Sequence, residues 1–341
     1  VVGQRFVQLL DQHPWFEVVA LTGADRSVGR AYAETCHWVL STPMPAWARA
    51  MEVLPTLPPV EARLVFSALP PAVALEAEPA YAQAGSVVCS NASAFRNEPD
   101  VPLLLPEVNP DHTCLVHRQQ HQRGFRGFIV TNPNCTDTGM TVVLKALQDA
   151  YGVKRVFAVS LQALSGAGYP GVASLDILNN VMPYISGEEE KIENEPKKML
   201  GAARQDEIIP ADLTISAQTN RVAVIDGHTV CLSVELGAPP KDFGEIAQTL
   251  ANYAAPAISR DLPSAPRPVI QVLDEPDRPQ PRLDVDTGRG MTTVVGRLRP
   301  DPLFHLKMVV LSHNTIRGAA GASIYNAELL VRQGLIDFTI A

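Results

Sequence analysis

The sequence predicts an α/β protein: a Rossmann-type parallel-sheet cofactor domain joined to an α+β domain with a mixed sheet. Three observations carry this. Apolar runs of strand length alternate with helical patterns through the first third of the chain, as β-α-β units require. Beyond Gly152 the pattern changes to alternation, the mark of strands with one half-exposed face. At 341 residues the chain exceeds what one hydrophobic core usually serves, so two domains are expected. Composition agrees, since 46% apolar and 19% charged residues describe a globular chain. A net charge of −8 argues against a nucleic-acid or anionic-membrane partner. No apolar run approaches the roughly 18 residues of a membrane span. Cys36, Cys89, Cys114, Cys135 and Cys231 are odd in number and scattered. They suggest no disulfide framework, and a reducing cytoplasm fits best.

The chain opens as helix, with Val2, Phe6, Leu9 and Leu10 on one stripe. A first strand and most of a glycine-rich turn are expected upstream, with Gly3 as the last glycine of that turn. Residues 17–21 read as a strand. Thr22 to Ser27 then fall where a Rossmann fold meets the adenosine ribose. Arg26 there suits a 2′-phosphate and favours NADP, while Asp25 leaves NAD open. Residues 64–70 are a buried strand ending in small residues, 72–84 an Ala-rich helix, and 86–91 the next strand. His112, Cys114, His117 and His121 follow in a polar, helix-prone stretch. They are not read as a metal site, because structural zinc sites prefer short paired spacings with clean turns.

The stretch from Thr131 to Gly139 organises the rest. It follows the strand-like run 127–130 and precedes a helical pattern, Met140, Val143, Leu144 and Leu147, stopped by Gly152. Asn134 suits the N-cap and Asp137 the first turn. Cys135 then stands at the first helical position, where the helix dipole should ease ionisation of a nucleophilic thiol.

Residues 155–163 alternate, with Phe157, Val159 and Leu161 on one face and Ser160 and Gln162 on the other. The literal G-x-G-x-x-G at Gly166, Gly168 and Gly171 is not read as a dinucleotide fingerprint. Its preceding strand is amphipathic and Pro170 interrupts it, so a loop over the active site is expected. Residues 187–200 read as a charged helix with a mostly solvated face. Asp226-Gly227 between alternating runs signals a two-residue hairpin that would pair Ile225 with His228 and put Arg221 on the same face. A proline-rich connection spans 262–283, a strand returns at 288–297, and a final helix covers 321–333.

Taken in order, Thr131-Asn132-Pro133-Asn134-Cys135-Thr136, Gln162 with Ser165 to Gly171, Glu195-Pro196-Lys197-Lys198, Arg221 to His228, and Asn314 to Ala320 resemble one family. The chain is similar to the aspartate-semialdehyde dehydrogenases, closest to the archaeal and fungal branch. The resemblance implies an NADP-binding domain at 1–132 with 316–341 and a catalytic and dimerisation domain at 133–315. It implies that Cys135 attacks aspartyl phosphate to give a thioester, that His228 is the acid/base, and that Gln162 positions the intermediate. Arg221 would grip the substrate carboxylate, Glu195 its amino group, and Arg96 and Lys198 the phosphate, with Asn134 beside them. Gly3, Arg26, Ser27, Ser67, Ser165, Gly166 and Asn314 would contact NADP(H). A homodimer or homotetramer, small-molecule ligands and no metal are implied as well. Two rival readings stand beside it. A short-chain acyl-CoA reductase of the malonyl-CoA type would keep Cys135 and His228. A metal-binding or redox-sensing protein would use His112, Cys114, His117 and Cys135.

Overall fold

The computed structural model describes residues 1–58 and 60–336. The strands Leu64–Ser67, Val87–Ser90 and Phe128–Thr131 form a parallel sheet in that order. The crossover helix Pro71–Ala84 ends at Gly85, whose φ of 109° supplies the left-handed cap. Both sheet faces are covered. Val87, Cys89 and Val130 pack with Ala327 and Leu330 of the last helix, Gly321–Arg332. Val88 and Ile129 point the other way, onto Tyr81, Ala82 and Phe95. Burial on both sides is why these strands read as unbroken apolar runs.

The expected strand at 17–21 is displaced. The strand is Leu21–Gly23, paired in parallel with Val53–Pro55 in a small separate sheet. Residues 17–20 make no backbone hydrogen bond to any described residue. They face residues 64–69 across a cavity of about 670 Å³, and Val19 is 66% exposed. Apolar content was there, but among the described residues no strand pairs with it.

The second unit is a six-stranded mixed sheet in the order Ile270–Val272, Thr293–Pro300, Leu306–Ser312, His228–Leu236, Val153–Gln162, Thr214–Arg221. The helix Cys135–Tyr151 lies over it, burying Met140, Val143, Leu144 and Leu147 completely. Its sequence is a poor intrinsic helix, with Gly139, several threonines and two valines. Each of those four side chains contributes roughly 1.5–3 kcal/mol on burial, so packing decides the helix. Gly139 belongs to that packing, since a Cβ there would meet Ser312 Oγ at 2.6 Å.

One expectation about this sheet is corrected. Thr214–Arg221 and His228–Leu236 do not form a hairpin, because Val153–Gln162 lies between them, parallel to the first and antiparallel to the second. The connection 222–227 passes over the end of that middle strand, where Val224 O and Ile225 O accept the Leu164 and Ser165 N–H groups. Gly227, at φ 100°, makes the bend, and Ile225 is left 77% exposed. The middle strand alternates as expected, and its inward face is the one that carries the polar residues. Val156, Ala158, Ser160 and Gln162 are buried under the helices, whereas Phe157, Val159 and Leu161 remain partly open. Smaller differences fall in the tail. The proline-rich connection contains the strand Ile270–Val272, and the returning strand begins at Thr293, after a turn with Gly288 and Arg289 at positive φ. The last helix spans Gly321–Arg332, and residues 337–341 of the expected first domain lie outside the described residues, as does residue 59.

The consequence for function is positional. Gln162 sits opposite Arg221, Leu161 opposite Thr229, and His228 opposite Ser312. Four strands therefore deliver polar side chains to one end of the sheet, beside the start of the Cys135 helix.

Candidate active site

Cys135 is the first residue of its helix, and Asn134 caps it, with Oδ1 accepting the Thr136 N–H at 2.8 Å. Cys135 Sγ lies 3.1 Å from His228 Nε2. The Ala163 N–H donates to His228 Nδ1 at 3.0 Å, which fixes the neutral ring with its proton on Nε2, toward sulfur. Burial first, then Arg221 and His313, drive His228 down to about 3, so it is neutral at rest. The thiol goes the opposite way from the sequence expectation. Burial and then the Glu188 carboxylate push it up to about 12, against the pull of Arg96 and Arg221. Cys135 keeps some solvent contact as a residue. Even so, the protein encloses its sulfur closely enough for desolvation to outweigh the helix dipole.

A layer of carboxylates holds this turn from below. Glu195 Oε2 accepts the Asn134 N–H at 2.5 Å, and Glu195 Oε1 accepts from Arg96 Nη1 at 3.1 Å. Glu188 Oε2 accepts from Asn134 Nδ2 at 2.7 Å and from Gln162 Nε2 at 3.3 Å, while its Oε1 accepts from Lys191 at 2.7 Å. The charged helix Glu188–Met199 is thus not simply a solvated face, since Glu188, Ile192 and Glu195 are buried. Lys198 differs from expectation. Its ammonium donates to the carbonyls of Arg96, Glu98 and Val101 at 2.7–2.8 Å, using all three hydrogens. It therefore anchors the loop that carries Arg96 and keeps no free donor for a phosphate. Burial lowers it to about 8.

Above the thiol, Arg221 Nη1 donates to Ala163 O at 2.7 Å, so one alanine orients both His228 and Arg221 through its backbone. Gly166 closes over them: a Cβ there would lie 2.9 Å from Arg221 Nη1 and 3.0 Å from His228 Cε1. Asn314 donates to Ser165 Oγ at 2.7 Å and accepts the Gly227 N–H at 2.8 Å. Gly318 abuts the Cys135 turn, with its would-be Cβ 2.7 Å from Cys135 Cβ and 2.8 Å from Cα. Gly318→Ala must displace the Cys135 turn and should cost about 1–3 kcal/mol of stability together with about tenfold in kcat. Thermal unfolding beside steady-state rates tests this, and an alanine variant with wild-type kcat would show the close approach to be dispensable.

The expected cofactor residues fall into two groups. Gly3 and Ser67 line the cavity at the ends of the parallel strands, together with Thr22, Ala68 and Leu69. Arg26 and Ser27 follow on the turn Asp25–Ser27, with Arg26 exposed. Ser165, Gly166 and Asn314 stand instead with His228 and Arg221. Arg5 ties the two regions, donating from the first helix to Thr315 Oγ1 at 3.1 Å and to Asp226 at 3.2 Å. A helix start with hydroxyls and an arginine nearby suits a phosphorylated dinucleotide.

Comparison with known proteins decides the family. Residues 1–116 match the model of the semialdehyde dehydrogenase NAD binding domain, and residues 144–317 that of the semialdehyde dehydrogenase dimerisation domain. An aspartate-semialdehyde dehydrogenase of Archaeoglobus fulgidus is 50% identical over 98% of this chain and 96% of its own length. One of Schizosaccharomyces pombe is 45% identical over 98% of this chain and 96% of its own. The chain belongs to the aspartate-semialdehyde dehydrogenase family. A crystal structure of a Candida albicans family member with NADP superimposes with a TM-score of 0.90 at 42% identity, covering 98% of this chain and 97% of that one.

Several residues of this family member's site escaped the sequence reading. Glu188, Asp137 and Ala163 act through burial or through backbone atoms, which leave no local signal. Arg317 forms a fully buried ion pair with Glu107 one residue before Gly318. The histidine-rich stretch does not join the site. His112 Nε2 lies 3.0 Å from Gly201 O and its Nδ1 2.9 Å from Asn109 Nδ2. Among the described residues no three His, Cys, Asp or Glu side chains converge as metal ligands would.

Proposed function

We propose that this chain reduces L-aspartyl-4-phosphate to L-aspartate 4-semialdehyde with NADPH through a thioester on Cys135, a step toward the aspartate-family amino acids lysine, threonine and methionine. The observation that carries the reading is the Cys135–His228 contact of 3.1 Å at a helix start ringed by Arg96, Glu195 and Arg221. In this reading Arg221 pairs with the substrate's carboxylate and Glu195 with its ammonium group. Arg96 meets the phosphate, from a loop whose shape Lys198 maintains. Cys135 forms the carbon–sulfur bond, the carbon–oxygen bond to phosphate breaks, and the thiol proton leaves with phosphate. NADPH, when bound, supplies the hydride that reduces the thioester. A proton taken up from solvent makes His228 the imidazolium, which gives its Nε2 proton to the resulting oxyanion. As the thiohemiacetal collapses and the carbon–sulfur bond breaks, His228 takes the hydroxyl proton and passes it to the leaving sulfur, restoring the thiol. Gln162, tied to Glu188, keeps the acyl group in line. Gly3, Arg26, Ser27 and Ser67 would hold the nucleotide, and Ser165, Gly166 and Asn314 its reacting end.

The same reading divides the chain at 132/133, with the last helix returning to the cofactor domain through Ala327 and Leu330. It also includes a homodimer or homotetramer. Phe157 and Cys231 stay exposed on the outer face of the large sheet, and Leu175, Leu178, Val181 and Tyr184 are exposed nearby in sequence. A second copy would cover such apolar surface. Among the described residues no helix is long and apolar enough to cross a membrane. Five free cysteines suit a reducing compartment, and the cytoplasm is the location proposed.

The reverse reaction tests the leaving group. Aspartate semialdehyde and NADP⁺ are supplied with either phosphate or coenzyme A while NADPH is followed. Phosphate should be required, and Arg96→Ala and Lys198→Ala should each cost about a hundredfold in rate. Turnover that needs coenzyme A and ignores phosphate would replace this reading with an acyl-CoA reductase.

A further inference from the structure

Beneath the nucleophile lies a third carboxyl that the proposed reaction does not use. Asp137 is in the first turn of the Cys135 helix, with none of its surface exposed. Neither of its carboxyl oxygens receives a hydrogen bond from an N–H or hydroxyl group of any described residue. What faces it is charge of its own sign: Glu195, within hydrogen-bonding reach, and Glu188, both from the helix Glu188–Met199. Arg96 is the cation that faces it, and the Cys135 thiol feels its charge from its own helix.

A buried anion without donors beside two carboxylates is a poor arrangement, whereas one proton resolves it. Like charges sharing a site do not both ionise. Glu195 is the better anion of the pair, because it already accepts from Arg96 and from the Asn134 N–H. Burial, then Glu195 and Glu188, correspondingly hold the Asp137 carboxyl well above the usual carboxylate range.

We propose that Asp137 is a positioning residue that works as the neutral acid, donating its hydroxyl proton to Glu195 and so fixing the carboxylate that holds Asn134 and Arg96. A carboxylate has about four lone-pair directions. Arg96, the Asn134 N–H and Asp137 take three, and the remaining one is left for a substrate ammonium group. The neutral acid also spares the Cys135 thiol another nearby negative charge. Only the identity of that ammonium ligand rests on the reaction proposed above.

Asp137→Asn places an amide N–H where the acid had its O–H. With aspartate semialdehyde, phosphate and NADP⁺, Asp137→Ala should lose about tenfold in kcat/KM, chiefly as a raised semialdehyde KM. Asp137→Asn should recover most of that loss. A second readout needs no turnover. The folded chain keeps the Asp137 proton to higher pH than the unfolded chain, so the wild type loses stability as pH rises above the ordinary aspartate value of about 3.9. Asp137→Asn lacks this loss, and its Tm relative to wild type should climb between about pH 4 and pH 8. An asparagine variant as impaired as alanine, or a Tm difference that stays flat with pH, overturns the proposal. The Tm measurement decides it even if the enzyme proves to use another acyl substrate.

Discussion

Cys135→Ala should leave no turnover in either direction, with the fold intact. The reaction as proposed passes through an acyl group on sulfur, and no other nucleophile is assigned a place beside His228. Alanine cannot form that bond, and the loss should exceed a hundredfold, well beyond what loosening a substrate contact costs. The fold should tolerate the change because the sulfur's only side-chain hydrogen-bonding partner among the described residues is His228, and the cap belongs to Asn134. Steady-state rates with thermal unfolding on the same sample make the test. Activity above about a hundredth of wild type would argue against covalent catalysis. In the wild type, intact mass after mixing with acyl phosphate and no NADPH should show an acyl adduct that Cys135→Ala lacks.

What the sequence disclosed about this site was whatever is local. The cap at Asn134, the helix from Cys135 and the stop at Gly152 depend on neighbours in the chain, and each formed as read. What it withheld depends on neighbours in space. The Asp226-Gly227 bend is real, but the same dipeptide serves whether the flanking strands touch or a third strand lies between them, as it does here. The alternation of residues 155–163 was legible, yet its inward face was not. Ser160 and Gln162 are buried because the sheet builds its polar site on that side, and partly open Phe157 is left outside. The thiol shows the same limit. Its place at a helix start is written locally, whereas the enclosure that raises it to about 12 comes from elements far off in sequence, Glu188 included. Nothing in the run Glu188 to Glu195 marks which glutamates turn inward.

That enclosure also explains the division of labour. Burial, with the carboxylates beneath, opposes the thiolate that Arg96 and Arg221 favour, and the sulfur is protonated at rest. The anions are retained because they position groups. Glu188 joins Asn134 to Gln162, and Glu195 joins Asn134 to Arg96. The turn that presents the proposed nucleophile is thus tied to the residues proposed to orient the acyl group and the phosphate, and precision of about half an ångström in such a constellation is what rate depends on.

His228→Asn should lower kcat by about a hundredfold or more with little change in substrate KM. The ring touches sulfur and the Ala163 N–H, and Arg221, the proposed carboxylate grip, keeps its own bond to Ala163 O. Asparagine preserves roughly the ring's volume and an acceptor for the Ala163 amide, but it cannot exchange a proton with the oxyanion. A raised KM with kcat unchanged would make His228 a binding residue and end the acid/base assignment. A pH experiment separates the proton role from packing. Burial holds the folded value near 3, against about 6.5 in the unfolded chain, so between these limits the unfolded state binds a proton that the native state refuses. His228 therefore costs stability as pH falls through that window and costs nothing above it. His228→Asn should lose less Tm than wild type on going from about pH 7.5 to about pH 5, with a residual acid sensitivity from His313, itself lowered to about 4. Identical acid sensitivity in the two proteins would mean that His228 carries its proton in the folded state, and the sulfur would then rest beside a cation and ionise near neutral pH.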